Sequence, residues 1–234
     1  MSNPTSVLII PAAGSGSRMG AVVPKPYLTI SGKTVLEHTL SCFTGLKGLK
    51  QVVISTSEQY TEFTRKKALK LFPDIDVDVV IGGRERQDSI CNALSVVNDD
   101  LDLVIVHDAV RPFISGHKIA NCVMIASEKG AAIVAVPVKD TIKKADSNMN
   151  ISETPQRKYL WQAQTPQVFS RKLIMKAYCE AKKSNFKGTD DASLVERLGL
   201  PVAIVEGDRQ NFKLTYPLDF KIAESLINGN LQEG

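Results

Sequence analysis

The sequence predicts an α/β fold, a doubly wound and mostly parallel sheet covered by helices. Short runs rich in β-branched residues alternate with helical patterns, the order that right-handed βαβ crossovers require. Most of those runs are apolar throughout rather than at every second residue, as strands buried on both faces are. A length of 234 residues suits one such domain, and a chain that long buries roughly 70% of its unfolded surface without metal or disulfide.

In chain order, the expected strands are 7–10, 52–55, 77–81, 103–107, 132–136 and 202–205. Helical patterns fall at 34–43, 58–71, 86–97, 117–129, 171–184, 190–198 and 217–227. Residues 139–160 break the rhythm with a polar stretch that includes Lys143, Lys144, Asp146, Asn148 and Asn150. A structureless loop of about 20 residues is uncommon inside a compact domain. The segment therefore reads as a projecting arm, with Thr141–Ile142 and Leu160–Trp161 expected to pair as a hairpin.

Composition narrows the function classes. At 43% hydrophobic and 23% charged the chain is neither disordered nor fibrous. It lacks both a membrane-length apolar run and the basic start and apolar core of a signal peptide, so no membrane partner is expected. Cys42, Cys91, Cys122 and Cys179 are widely spaced and share no metal-ligand spacing with His38, His107 or His117. That argues for a reducing, cytoplasmic setting. The net charge of +4 is unevenly placed. Residues 1–36 carry Arg18, Lys25 and Lys33 and no acid, for +3. The excess is thus a local positive field rather than a nucleic-acid footprint, and no nucleic-acid partner is expected.

In a parallel sheet, ligands bind beyond the carboxyl ends of the strands. After the first strand comes Pro11-Ala12-Ala13-Gly14-Ser15-Gly16-Ser17-Arg18-Met19-Gly20, then Pro24-Lys25. Small residues let backbone amides approach phosphate oxygens, and two cations stand beside them. The P-loop pattern is absent, because Tyr27 occupies the first glycine's position before Gly32-Lys33-Thr34. The dinucleotide pattern G-x-G-x-x-G is missed by one residue, with Met19 in the last glycine's slot and Glu37 near the ribose-binding position. After the third strand comes Gly82-Gly83-Arg84-Glu85-Arg86-Gln87-Asp88-Ser89. There Ser89 suits a base or sugar contact, while Glu85 or Asp88 suits simple helix capping. After the fourth, Asp108 ends an apolar strand where a carboxylate has no packing reason to be, a position suited to Mg²⁺ or a ribose. Arg111, three residues on, is its candidate ion-pair partner. His107 reads as a hydrogen-bonded, partly buried histidine. Farther along, Thr141, Arg157, Thr165, Thr189 and Lys213 suit a second phosphate-bearing substrate if they converge, although Thr189 is also a natural cap for a helix starting at Asp190.

Together these segments are similar to one family. Pro-Ala-Ala-Gly-x-Gly-x-Arg-Met at 11–19, Pro-Lys at 24–25, Gly-Gly-x-x-Arg-x-x-Ser at 82–89 and His-Asp-Ala-x-Arg-Pro at 107–112 match it. So do Pro-Val-x-Asp-Thr-x-Lys at 137–143, Leu-Trp at 160–161, Thr-Pro-Gln at 165–167, Thr-Asp-x-Ala-Ser at 189–193 and Asn-x-Lys-x-Thr at 211–215. From Val7 to Ala223 the chain resembles the 2-C-methyl-D-erythritol 4-phosphate cytidylyltransferases of non-mevalonate isoprenoid biosynthesis.

The resemblance implies one Rossmann-like nucleotidyltransferase domain over 1–234, with residues 139–160 as a β-arm that locks a homodimer. It assigns Arg18, Lys25 and Lys213 as catalytic cations. It places CTP on Pro11, Ala12, Ala13, Gly14, Gly16, Gly82, Gly83, Ser89 and Asp108, with Mg²⁺ on Asp108. It places the polyol phosphate on Ala109, Arg111, Thr141, Arg157, Thr165, Thr189 and Lys213, with Arg157 reaching the partner's site. Arg84 stands where some members carry an acid, so no role is carried to it. The rival readings are a cytidylyltransferase for another polyol phosphate such as ribitol 5-phosphate, an NAD-dependent oxidoreductase and a non-catalytic nucleotide-binding regulator. Pro137 to Thr141 with Gln156-Arg157 favours the isoprenoid enzyme over the first. Met19 and the loop cations disfavour the second, and the set of cations with Asp108 disfavours the third.

Overall fold

A computed structural model describes residues 3–14 and 23–229. The chain runs β1 (Ser6–Pro11), β2 (Thr29–Ile30), β3 (Lys33–Thr34), α1 (Val35–Ser41), β4 (Leu49–Thr56), α2 (Thr61–Leu71), β5 (Asp76–Ile81), α3 (Arg86–Leu94) and β6 (Leu103–Val106). It continues through α4 (Gly116–Lys129), β7 (Ala131–Pro137), β8 (Lys144–Ala145), β9 (Ile151–Glu153), β10 (Trp161–Ser170), α5 (Arg171–Lys183), α6 (Asp191–Glu196), β11 (Ala203–Glu206) and α7 (Pro217–Ile227).

Seven strands form the central sheet in the order β11-β7-β10-β6-β1-β4-β5. All its pairings are parallel except those of β10, which runs antiparallel to β6 and β7. The apolar runs follow from burial on both faces. Along β1, Leu8 and Ile10 join Leu36 of α1, Ala68 of α2 and Ile119 of α4. Val7 and Ile9 face the other way, toward Ile90 of α3, Ile174 of α5 and Val195 of α6. From β1 the chain proceeds to β4 and β5 on one side, then returns to β6 on the other. The order therefore reverses at β1 and β6, which opens a crevice beyond their carboxyl ends.

Several expectations change. The stretch 58–71 divides into a short 3-10 turn at Glu58–Tyr60 and α2. Asp190, not Thr189, caps α6, its carboxylate accepting the Ser193 N–H at 3.0 Å. The sequence reading missed β10, because Gln164, Thr165 and Gln167 resemble a loop while being 6%, 4% and 1% exposed. The pairing of β10 with β7 is interrupted between Ala163 and Gln167, which accommodates Pro166 and its missing N–H.

The arm also differs from the expected hairpin. Thr141–Ile142 pairs with nothing in a strand; instead Lys144–Ala145 pairs antiparallel with Ile151–Glu153. Asp146 closes the turn between them by accepting the N–H groups of Asn148 and Asn150, each at 2.9 Å. Trp161 is drawn instead into the main sheet opposite Pro137. No helix among the described residues is long and apolar enough to cross a membrane.

Candidate active site

A cavity of about 560 Å³ lies at the crevice beyond β1 and β6, a size suited to a small-molecule ligand. Pro11, Ala13 and Gly14 line it from β1, Gly83 to Arg86 and Ser89 from the β5–α3 turn, and Asp108 and Ala109 from β6. Lys25 and Lys213 to Thr215 complete it. Arg18 and Gly16 lie outside the described residues.

The two glycine turns meet here. A Cβ on Gly82 would collide with that of Ala13, so the close approach of the two loops requires glycine. Ser89 holds the turn rather than standing free. Its hydroxyl accepts the Gly83 N–H at 3.0 Å and donates to the Glu85 carbonyl at 3.0 Å. The Glu85 N–H donates to Asp88 at 3.1 Å, which caps α3.

Asp108 is the electrostatic hub. Its Oδ1 accepts from Arg86 Nε at 3.1 Å; its Oδ2 accepts from Lys213 Nζ at 2.9 Å and faces Arg111 Nε at 3.5 Å. Burial by itself would raise this carboxyl, but Arg86, Lys213 and Arg111 outweigh it and hold Asp108 well below the usual carboxylate range. The Arg111 guanidinium is shifted down, first by burial, with Asp108 opposing that shift. Thr165 fixes the backbone of the hub, its hydroxyl accepting the Asp108 N–H at 3.0 Å. His107 is fully buried, with Nε2 at 3.0 Å from the Arg111 carbonyl. Burial pushes its imidazole down to about 4, so it stays neutral at pH 7.

The predicted residues thus separate into groups. Pro11, Ala13, Gly14, Lys25, Gly83, Ser89, Asp108, Ala109 and Lys213 share the cavity. Ala12 turns into the core at 2% exposure and donates its N–H to Ser55. Gly82, Arg111 and Thr165 support the cavity from behind and are not among its lining residues. Thr141 and Arg157 are exposed on the arm, where Arg157 donates to the Lys139 carbonyl at 2.7 Å. Thr189 is exposed beside α6. The arm residues and Thr189 are likewise not among the lining residues of this cavity.

The structure adds residues that sequence reasoning passed over. Arg86 spans from Asp108 to Asp191, meeting the latter at 2.8 Å. Asp191 is 1% exposed and also accepts the Tyr178 hydroxyl at 2.6 Å. Arg86 stands inside the Gly-Gly-x-x-Arg-x-x-Ser motif, the one signal that marked it, but Asp191 is 105 residues away. Gln167 ties β10 to α6 by donating to Asp190 at 2.7 Å and accepting the Ala192 N–H at 3.0 Å. The Thr215 carbonyl accepts from Lys25 Nζ.

Lys25, Arg84, Arg86 and Lys213 line the cavity against Glu85 and Asp108, so it is suited to a polyanion. No group of three or more His, Cys, Asp or Glu side chains converges among the described residues. The donor set therefore fits a Mg²⁺ ion carried by substrate phosphates with Asp108 as a carboxylate ligand, and does not fit an all-protein metal cage.

Comparison with known proteins agrees with this geometry. A family model described as 2-C-methyl-D-erythritol 4-phosphate cytidylyltransferase matches residues 6–229. A protein of that name from Caldanaerobacter subterraneus subsp. tengcongensis is 43% identical, with 94% of this chain and 97% of the relative covered. One from Bacillus mycoides is 44% identical, with the same coverage. A crystal structure titled 4-diphosphocytidyl-2C-methyl-D-erythritol synthase, from Anaerococcus prevotii, superposes with a TM-score of 0.87 at 31% identity, covering 97% of each chain. The structure of the Thermus thermophilus cytidylyltransferase gives 0.78 at 33% identity, covering 96% of this chain and 99% of that one. A match spanning residues 6–229 takes in every motif around the cavity, and so the chain belongs to the 2-C-methyl-D-erythritol 4-phosphate cytidylyltransferase family.

Proposed function

We propose that the cavity joins CTP to 2-C-methyl-D-erythritol 4-phosphate through the cations gathered around Asp108. A phosphate oxygen of the polyol attacks the α-phosphorus of CTP as the bond to the β-phosphate breaks. The products are 4-diphosphocytidyl-2-C-methyl-D-erythritol and pyrophosphate. A phosphate monoester is already nucleophilic at neutral pH, so the reaction needs no strong general base, which agrees with a buried, neutral His107. The difficulty lies in bringing two polyanions together and stabilising the charge that develops in transfer.

Preorganised cations meet that difficulty. Lys25 faces the phosphates beside the Pro11–Gly14 turn, and Lys213 orients the incoming phosphate. Arg18 serves the same triphosphate by family resemblance. Gly83 and the loop that Ser89 holds read the base and ribose. Asp108 would hold Mg²⁺ together with the phosphates of CTP. When bound, the ion neutralises phosphate charge and polarises the phosphorus–oxygen bonds.

The arm carries the rest of the reading. Met149, Ile151 and Tyr159 are 85%, 65% and 71% exposed, an apolar set suited to a homodimer in which Arg157 serves the neighbouring site. The four cysteines are free, as a cytoplasmic setting would keep them. The single observation that supports the reading most is Asp108 in the wall of a cationic cavity with Arg86, Lys213 and Arg111 drawn around it. Its test is pyrophosphate release from CTP and methylerythritol phosphate, with Mg²⁺ and with chelator. Release only with metal is expected. Equal or faster release with ribitol 5-phosphate would move the assignment to another polyol phosphate.

A further inference from the structure

Asp219, in the first turn of α7, ties down the loop that presents Lys213 and meets Lys25. Its Oδ2 accepts the N–H of Thr215 at 2.7 Å and that of Tyr216 at 2.6 Å. Thr215 in turn offers its carbonyl to Lys25 Nζ, 190 residues away in sequence. Two residues before Thr215 stands Lys213, which reaches Asp108 at 2.9 Å. Upstream the same loop is anchored twice. The buried Asn211 amide donates to the Thr165 carbonyl at 2.9 Å, and the Leu214 N–H donates to the Val110 carbonyl at 2.9 Å. Downstream, Asp219 joins the loop to the helix.

We infer that Asp219 is a positioning residue for Lys25, acting through the backbone of Thr215. This rests on the reading of Lys25 as a cation of the reaction. A carboxylate in a first helical turn has an ordinary role, accepting N–H groups that the helix leaves unpaired. Here the Tyr216 N–H that it accepts lies in the same peptide unit as the Thr215 carbonyl that meets Lys25. Without the carboxylate, that peptide can rotate and take the carbonyl away from the ammonium. Displacements near 1 Å in a preorganised site cost about a hundredfold in rate.

The experiment compares Asp219→Ala, Asp219→Asn, Lys25→Ala and the Asp219→Ala/Lys25→Ala double variant by kcat, KM for CTP and melting temperature. Asp219→Ala is expected to lower kcat about 10- to 100-fold with little change in KM. Asp219→Asn keeps the shape and one acceptor oxygen, enough for both N–H groups, and is expected to recover most of the rate. The double variant is expected to be no slower than Lys25→Ala alone, because the carboxylate acts through the lysine. A drop in melting temperature with kcat intact would overturn the inference and leave Asp219 a cap. Losses that multiply in the double variant would overturn it too. Unchanged kcat in Lys25→Ala would instead overturn the proposed role of the lysine, and the inference with it.

Discussion

Replacing Arg86 by methionine removes the bridge between Asp108 and Asp191 while preserving much of its apolar stem. The two carboxylates are affected unequally. Asp108 retains Lys213 and Arg111, whereas Asp191 retains only the Tyr178 hydroxyl among the side-chain contacts described above. The Asp191 side chain is 1% exposed against 31% for Arg86, so the penalty falls on a carboxylate that water cannot reach. Breaking a buried pair by removing one partner costs about 3–5 kcal/mol. The surviving Tyr178 hydrogen bond places this case near the lower end, about 3 kcal/mol. For a chain of this size that corresponds to a fall of about 6–12 °C in Tm. Urea unfolding followed by circular dichroism measures it, with an unchanged slope showing that stability alone moved. Adding Asp191→Asn removes the stranded charge and is expected to restore more than half of the loss, a coupling visible in the double-mutant cycle. A loss under about 1 kcal/mol, or strictly additive single effects, would refute the bridging role.

His107 gives the fold an acid sensitivity of its own. Its folded imidazole is held at about 4 against an ordinary 6.5, so only the unfolded chain takes the proton in between. Stability is therefore full above about 6.5, is lost as pH falls toward about 4, and drops by about 2 kcal/mol between pH 7 and pH 5. The depressed Asp108 carboxyl acts only below its ordinary 3.8, outside that window. Urea unfolding of His107→Asn at both pH values is expected to show that drop abolished, and a wild-type midpoint that does not move would contradict the burial argument. For the arm, mixing Arg157→Ala with Lys213→Ala subunits is expected to restore activity in heterodimers. No rescue after verified subunit exchange would place Arg157 at its own chain's site.

Legibility in the sequence followed the range of the interaction. Strands β1, β4, β6 and β7 were readable because burial on both faces makes them apolar, as Val7 to Ile10 illustrate. Strand β10 was hidden because its buried polar side chains are satisfied from afar. Gln167 bonds Asp190, and Gln164 donates to the Asp208 carbonyl. The start of α1 was legible because its cap is local, with Thr34 and Glu37 bonding each other. At α6 the sequence pointed to Thr189 as the cap, one residue too early, and geometry chose the Asp190 carboxylate. In the site, Asp108 stood out as a charge ending an apolar strand. Arg86, Asp191 and Asp219 did not, because motif spacing does not reveal which group each one pairs with. The partners of Arg111 were half visible. Asp108 was expected, but the Asn211 carbonyl at 2.8 Å was not.

The most direct measurement is a ³¹P NMR spectrum of CTP, 2-C-methyl-D-erythritol 4-phosphate and Mg²⁺ incubated with the protein. The expected spectrum shows the polyol phosphate signal replaced by the coupled pair of a diphosphate diester, together with free pyrophosphate. Formation of CMP and pyrophosphate beside an unchanged polyol phosphate would mean that the cavity sends water, not the second substrate, to the α-phosphorus. That outcome would contradict the assignment of Lys213 and its neighbours to the incoming phosphate.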